Sequence, residues 1–368
     1  MYTLLRTGAY VATECVWRTC CRLTRIPLYS YLGWLGHGNV GDEAVYAGLK
    51  RLDRSTRWTV VEHRHRTRRL FACLGLDGPG YLAGVCLGGG TLIGSEPFRR
   101  TVESVQQSGH KLFAMGTGVG QSGWDDADMP DLGSWAGILH KFGAIGVRGP
   151  DSRKCLERLG FTNAREVGDL ALALAGDLWA MPQEPLTVAV NVTVPGARDR
   201  ASSQQILNVM SAICRDLIAH GYRVLPLVTD KSDIDATMSV CRESGSACEQ
   251  VRWLSDADAI VAALRSCVGL VGVRLHSAVL AVCAGVPPVL LSYRPKCMDF
   301  MRSMGLEKWC IEFLHSTMDT IRSSVLGLVM EAKDNCALRG SILDRAWAWK
   351  KVQGEFLHEQ LSRLGAVE

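Results

Sequence analysis

The sequence has no apolar run long enough to cross a bilayer. Its most apolar stretch, Ser277 to Leu291, carries Pro287 and Pro288 near its end and follows directly on Arg274 and His276, whereas a spanning helix needs about 20 consecutive apolar residues. A polytopic membrane protein is excluded. There is also no C-x-x-C pair, no secretory leader ahead of the cysteines and no cluster of metal-ligating residues at regular spacing, so zinc ribbons and disulfide scaffolds are excluded as well. The 14 cysteines are scattered through apolar runs and read as small buried hydrophobes in a reducing cytosol. Neither sign of charge dominates: 41 Lys+Arg against 37 Asp+Glu leave +4, which gives no reason to expect a nucleic-acid partner. Repeats of solenoid length are missing too.

What is present is 368 residues, 47% of them hydrophobic and 21% charged, a globular composition with room for about two domains. From residue 29 onward, short apolar runs, glycine-rich turns and helical periods alternate. That rhythm predicts an α/β fold with parallel sheets. Strands are expected at Tyr29 to Leu35, Thr59 to Glu62, Gly84 to Leu87, Lys111 to Gly116 and Ala144 to Val147. Helices are expected at Gly41 to Leu52, Pro97 to Ser108, Leu132 to Lys141 and Asp151 to Leu159. Two prolines in residues 176–185 break the rhythm and mark a linker. A second series runs over residues 186–316, with strands at Leu186 to Val192, Arg223 to Val228 and Gln250 to Leu254, and residues 317–368 read as helices that pack back across both domains. The first domain is thus residues 29–175.

Four strand-to-helix junctions carry the chemistry-bearing residues. The first, GWLGHGNVGDEAVYAGL, places Asn39, Gly41, Asp42 and Glu43 at a helix start, where backbone amides attract negative charge. Its plainer reading is first-turn helix stabilisation by the acidic pair. The second, CLGGGTLIG, sets Gly88, Gly89 and Gly90 at the carboxyl end of a strand, where open α/β sheets bind ligands; one glycine would satisfy a turn, and three favour a ligand close to the backbone. The third, GVRGPDS, puts Arg148 just past an apolar strand, either to bind an anionic ligand or to pair with Asp169 of the nearby VGD. The fourth and most specific is GVRLHSAVLAVCAGVP, in which a strand delivers Arg274, Leu275 and His276 to the amides of the next helix.

Taken in order, these motifs resemble the polysaccharide pyruvyl transferase family over about residues 30 to 300. The resemblance implies two Rossmann-like domains in a GT-B-like arrangement with the active-site cleft between them, the first on the acceptor side and the second on the donor side. It also implies transfer of pyruvate from phosphoenolpyruvate to a sugar as a cyclic ketal, with the donor held by residues matching Arg148, Arg274, Leu275 and His276. The residue types agree with this, because a carboxylate and a phosphate in one small molecule call for several cations in fixed geometry and no cofactor or metal. His276 is the candidate acid, with Arg274 beside it, and Asp42 or Glu43 the candidate base on the acceptor side.

The rival reading is a GT-B glycosyltransferase using a nucleotide sugar. Asp126 with Asp128, and Asp256 with Asp258, mimic a D-x-D metal motif but lie in helix-opening sequence and read as caps. A glycan-binding protein without activity would have lost Arg or His from R-L-H, and both are here. Residues 1–28 read as a basic amphipathic helix. Beside it, residues 50–69 carry eight basic residues against Asp53 and Glu62. The pair of features suits either a helix docked on the first domain or peripheral attachment to the inner, cytoplasmic leaflet, where a lipid-linked acceptor would be met.

Overall fold

A computed structural model describes residues 15, 16, 19, 20, 23, 24, 27–60, 82–120, 132–177, 182, 186–194, 200–246, 252–253, 256–313 and 316–365. Most of the N-terminal helix, the segment around His63 and His65, Asp126 with Asp128, and most of the linker lie outside the described residues.

The first half alternates β1 (Leu28–Leu32), α1 (Val40–Leu52), β2 (Arg57–Val60), β3 (Gly84–Leu87), β4 (Gly90–Ile93), α2 (Glu96–Gln107), β5 (Leu112–Val119), α3 (Leu132–Leu139), β6 (Phe142–Val147), α4 (Pro150–Arg158) and β7 (Arg165–Glu166). Its seven strands pair in parallel in the order β2-β1-β3-β5-β6-β7, with β4 added on β5. The second half runs β8 (Thr187–Asn191), α5 (Arg200–Ala219), β9 (Arg223–Val228), α6 (Ile234–Ser244), β10 (Arg252–Trp253), α7 (Ala257–Leu264), β11 (Cys267–Gly272), α8 (Leu275–Cys283), β12 (Pro288–Ser292), α9 (Pro295–Ser303) and β13 (Cys310–Glu312). Its sheet is also parallel, ordered β10-β9-β8-β11-β12-β13. Helices α10 (Met318–Asp334) and α11 (Cys336–Arg363) close the chain.

Parallel strands buried on both faces explain why the sequence shows continuous apolar runs rather than alternation. β5, LFAMGTGV, and β11, CVGLVG, are buried at every position. The β4 strand was hidden in the sequence because its Gly90 and Thr91 read as part of a glycine turn.

The halves are joined by more than the linker. One apolar core takes in Tyr29, Val45 and Met115 of the first sheet's side together with Val188, Leu270 and Val279 of the second. Asp299 on α9 caps α4 across the boundary: Oδ1 accepts from the Asp151 amide at 2.8 Å, and Oδ2 accepts from the Ser152 hydroxyl at 2.6 Å. Helix α11 ties the two halves together, since buried Arg339 donates to the Cys267 carbonyl at 2.9 Å and Gln353 to the Asp169 carbonyl at 2.8 Å. The described cysteines are free, and those in the strands, Cys86 and Cys267 among them, are buried. Among the described residues no helix is long and apolar enough to cross a membrane.

Candidate active site

In each sheet the strand order reverses direction once, between β1 and β3 and between β8 and β11. Open α/β sheets bind ligands in the crevice beyond the strand ends at such points. Here the two crevices face each other. The loop from β1 to α1 is pinned to the loop after β9: the Val40 amide donates to the Thr229 carbonyl at 2.8 Å, and Asn39 pairs with Asp230 in an isolated antiparallel bridge. Asn39 also caps α1, accepting from the Gly41 amide at 2.9 Å. Gly36 and Gly38 turn this loop at φ of 79° and 81°, values that only glycine adopts freely.

Between the crevices lies a cavity of about 280 Å³, lined by Asp42, Gly90, Thr91, Arg148, Arg274, Leu275, His276 and Lys296, with Asn39, Trp34, Phe98, Tyr293 and Arg294 also on its walls. Trp34 is 44% exposed and stacks on the His37 ring at 4.1 Å.

The two arginines differ in their surroundings. Arg148 follows β6, is 1% exposed, and lies so close over Gly118 that a Cβ there would stand 2.6 Å from Nη2. Among the described residues no carboxylate forms an ion pair with Arg148, and its buried Nε has no hydrogen-bond partner. Arg274 caps β11, its amide donating to Asn191 Oδ1 at 3.1 Å. Its guanidinium is clasped from the side: Nε donates to Asp233 Oδ2, while Nη2 donates to Asp233 Oδ1 at 2.9 Å and lies 3.3 Å from Asp230 Oδ2. Asp233 is in turn held by the Thr193 hydroxyl at 2.7 Å. This fork fixes the direction of the Arg274 side chain.

His276 sits in the first turn of α8 with its ring against Gly41, where a Cβ would come within 2.2 Å of Nδ1. Burial, reinforced by the charges of Lys296, Arg148 and Arg274, pushes its pKa down to about 3. The imidazole is therefore neutral near neutral pH. Its Nε2 lies 3.7 Å from Oδ2 of Asp169. Asp169, fully buried, caps the turn at Leu170–Leu174 through the Ala171 amide at 3.0 Å. Burial raises its pKa against the opposing charge of Arg148. Asp42, nearly buried, is pushed up to about 7, chiefly by burial, with Asp169 and Glu43 adding to the rise and Lys296 and Arg274 opposing it. Lys296, half-buried in the first turn of α9, is lowered to about 8 by burial and then by Arg148 and Arg294, with Cys297 and Asp42 opposing. The cavity thus combines cations for an anionic ligand with a carboxyl that titrates near neutrality.

Several sequence-predicted residues have a different setting from the one their motif suggested. Glu43 does not line the cavity; its Oε1 accepts from the Gly36 amide at 2.7 Å and so braces the loop. Gly88 and Gly89 do not line it either, because a Cβ on them would stand 1.9 Å from the Tyr31 ring and 2.5 Å from Val45. Those two glycines serve packing, and only Gly90, at φ 94°, faces the cavity. Asp169 reaches toward His276, not into an ion pair with Arg148. Asp256 caps α7 by accepting from the Asp258 amide at 3.2 Å, and Arg51 donates to Asp258 at the same distance. Among the described residues no group of three metal-ligating side chains converges. Sequence reading missed Lys296, Tyr293 and Trp34. For Lys296 a signal existed: S-Y-R-P-K follows β12 with the same strand, arginine, proline and helix layout as V-R-G-P-D after β6.

No curated protein matches the chain. Solved structures share its fold. A putative UDP-N-acetylglucosamine 2-epimerase from Listeria monocytogenes aligns at TM-score 0.61 and 11% identity, over 93% of this chain and 98% of its own. A UDP-N-acetylglucosamine 2-epimerase from Rickettsia bellii gives 0.55 and 10%, over 92% and 97%. A UDP-glucosyltransferase from Polygonum tinctorium gives 0.54 and 11%, over 93% and 99%. At such identities these likenesses speak for the two-domain, Rossmann-like GT-B arrangement alone. The family model for polysaccharide pyruvyl transferase matches residues 39–295, a span that opens on Asn39 and takes in Asp42, Arg148, Asp169, Arg274 and His276. The chain belongs to the polysaccharide pyruvyl transferase family and is a transferase whose family implies a saccharide acceptor.

Proposed function

We propose that the enzyme moves the pyruvyl group of phosphoenolpyruvate onto two hydroxyls of one sugar in a cell-surface polysaccharide or its lipid-linked precursor, forming a cyclic ketal and releasing phosphate. The observation that carries this reading is the gathering of Arg148, Arg274, His276 and Lys296 around one small cavity with Asp42. A carboxylate and a phosphate on a three-carbon skeleton match such a site in charge and size.

Arg148, Arg274 and the α8 start at Leu275 and His276 hold the donor. Burial holds the His276 pKa down and the neighbouring cations add to this; the donor's negative charges offset those cations, so the imidazole takes up a proton in the complex and becomes the acid. His276 protonates the methylene carbon, one sugar hydroxyl attacks C2, phosphate departs, and the second hydroxyl closes the ketal. Of the two hydroxyl protons, one is equivalent to that gained by the methyl group, and the other leaves with phosphate or solvent. Asp42 is the base that receives a hydroxyl proton, Asp169 orients His276, and Glu43 braces the loop that carries Asn39 and Gly41 toward the acceptor. Trp34 at the rim offers its exposed face to the apolar side of the sugar ring. The reaction runs in the cytoplasm, peripherally attached to the inner membrane face where the acceptor is lipid-linked.

Incubation with phosphoenolpyruvate and a panel of synthetic and lipid-linked saccharides tests this reading by phosphate release and by the mass gain of a pyruvyl group on one acceptor. Turnover is expected to persist in chelator. Consumption of a nucleotide sugar instead, restored after chelation by Mg²⁺ or Mn²⁺, would overturn it in favour of glycosyl transfer.

A further inference from the structure

The donor residues assigned so far leave the charge of the site incomplete. Arg274 spends its Nε and Nη2 on Asp233, with Asp230 close by, so two carboxylates already offset its charge. His276, with its pKa lowered to about 3, adds no charge of its own. That leaves Arg148 alone against a ligand bearing both a carboxylate and a phosphate.

Two further cations stand on the cavity wall: Arg294, exposed and with its guanidinium 5.5 Å from the centre of the Tyr293 ring, and, deeper, the half-buried Lys296. Lys296 stands at the second position of α9, directly after Pro295, where unpaired backbone amides add positive potential. Among the described residues no carboxylate lies within ion-pair distance of it. It belongs to a different element from Arg148, Arg274 and His276, so with Arg294 five cationic or protonatable groups reach the cavity from three strand ends. Burying like charges together without a counter-ion is unfavourable, and an anion between them removes that conflict. It also lies just beyond the span of the family match, which ends at Pro295.

We propose that Lys296 binds the phosphate group of the donor together with Arg148, leaving the clasped Arg274 to fix the carboxylate. This inference rests on phosphoenolpyruvate being the donor. The test is titration calorimetry and thermal shift on the full chain, with phosphoenolpyruvate, inorganic phosphate and pyruvate as separate probes, for the parent, Lys296→Gln and Lys296→Arg.

Lys296→Gln is expected to weaken phosphoenolpyruvate and phosphate about 10- to 100-fold, the loss of one charge-assisted bond, and to leave pyruvate nearly unchanged. Lys296→Arg should restore most of the affinity. Because the substitution removes an unpaired cation, the unliganded Gln variant should melt no lower than the parent, which separates a binding role from a structural one. Equal binding of phosphoenolpyruvate by parent and Gln variant would overturn the assignment while leaving the donor identity intact. An equal loss for pyruvate would overturn it by moving Lys296 to the carboxylate. A parent that binds none of the three would overturn the donor reading itself, and this inference with it.

Discussion

Two strand ends, β6 in the first half and β11 in the second, each deliver an arginine to the same cavity by opposite electrostatic means. Arg148 arrives buried with no carboxylate partner, whereas Arg274 arrives held by Asp233 and flanked by Asp230. A buried charge without a counter-ion is destabilising and gains most from a bound anion. A clasped arginine gives up part of its attraction but keeps one direction. One junction therefore supplies unneutralised charge and the other supplies geometry.

The largest expected effect concerns His276, which follows the clasped arginine. His276→Gln should slow phosphate release by about 10² to 10⁴-fold without loss of the folded state, checked by turnover and circular dichroism. Parental turnover would remove His276 from proton transfer.

The two arginines themselves give a sharper contrast. Arg148→Gln and Arg274→Gln should each lower kcat/KM for the donor by roughly 10- to 100-fold, yet diverge in heat stability. Losing Arg148 removes an unpaired buried charge and should leave the melting temperature unchanged or raised. Losing Arg274 strands Asp233, whose side chain is 3% exposed, and should destabilise by about 1 to 3 kcal/mol. Equal losses of stability in the two variants would break the distinction.

Stability against pH separates the halves again, with smaller effects. Asp42 in the first half titrates at about 7 against an ordinary 3.8, so the folded state holds its proton longer and stability falls as pH rises through that window. His276 in the second titrates at about 3 against 6.5, so stability falls as pH drops below 6.5. The two oppose each other between about pH 4 and 6.5. Over that range Asp42→Asn should make the melting temperature climb more steeply with pH than in the parent, and His276→Gln should make it climb less or decline. Slopes that match the parent in both variants would show that neither group is shifted.

The smallest effect belongs to the rim. Trp34→Ala should raise the acceptor KM by about 2- to 12-fold, the equivalent of one aromatic contact, and leave the donor KM alone. A change in the donor constant of the same size would place Trp34 at the other substrate.

The parts of the site readable in the sequence were those carried by one strand and the residues right after it. R-L-H-S and V-R-G-P announce their own strand end, and N-V-G-D-E its helix start. Asp233 was not readable as a partner of Arg274, because it comes from the loop after β9, two strands away across β8, and only sheet order makes them neighbours. Lys296 was missed because a lysine in a helix's first turn usually points to solvent. The three glycines of G-G-G-T read as room for a ligand beside the backbone, but what stands beside Gly88 and Gly89 is Tyr31 and Val45, side chains on other elements. The alternation of strands and helices came through well, since its signal is local. Contacts across the chain did not.

The cap that Asp299 places on α4 sets a rule for anyone recombining this enzyme with its relatives to change the sugar it modifies. A chimera cut at the linker would take α4 with the first half and leave its cap behind, along with Gln353, which holds the carbonyl of Asp169. The graft that travels intact is the first half together with α9, which carries Asp299, and the stretch of α11 around Gln353, three separate pieces of chain transplanted as one.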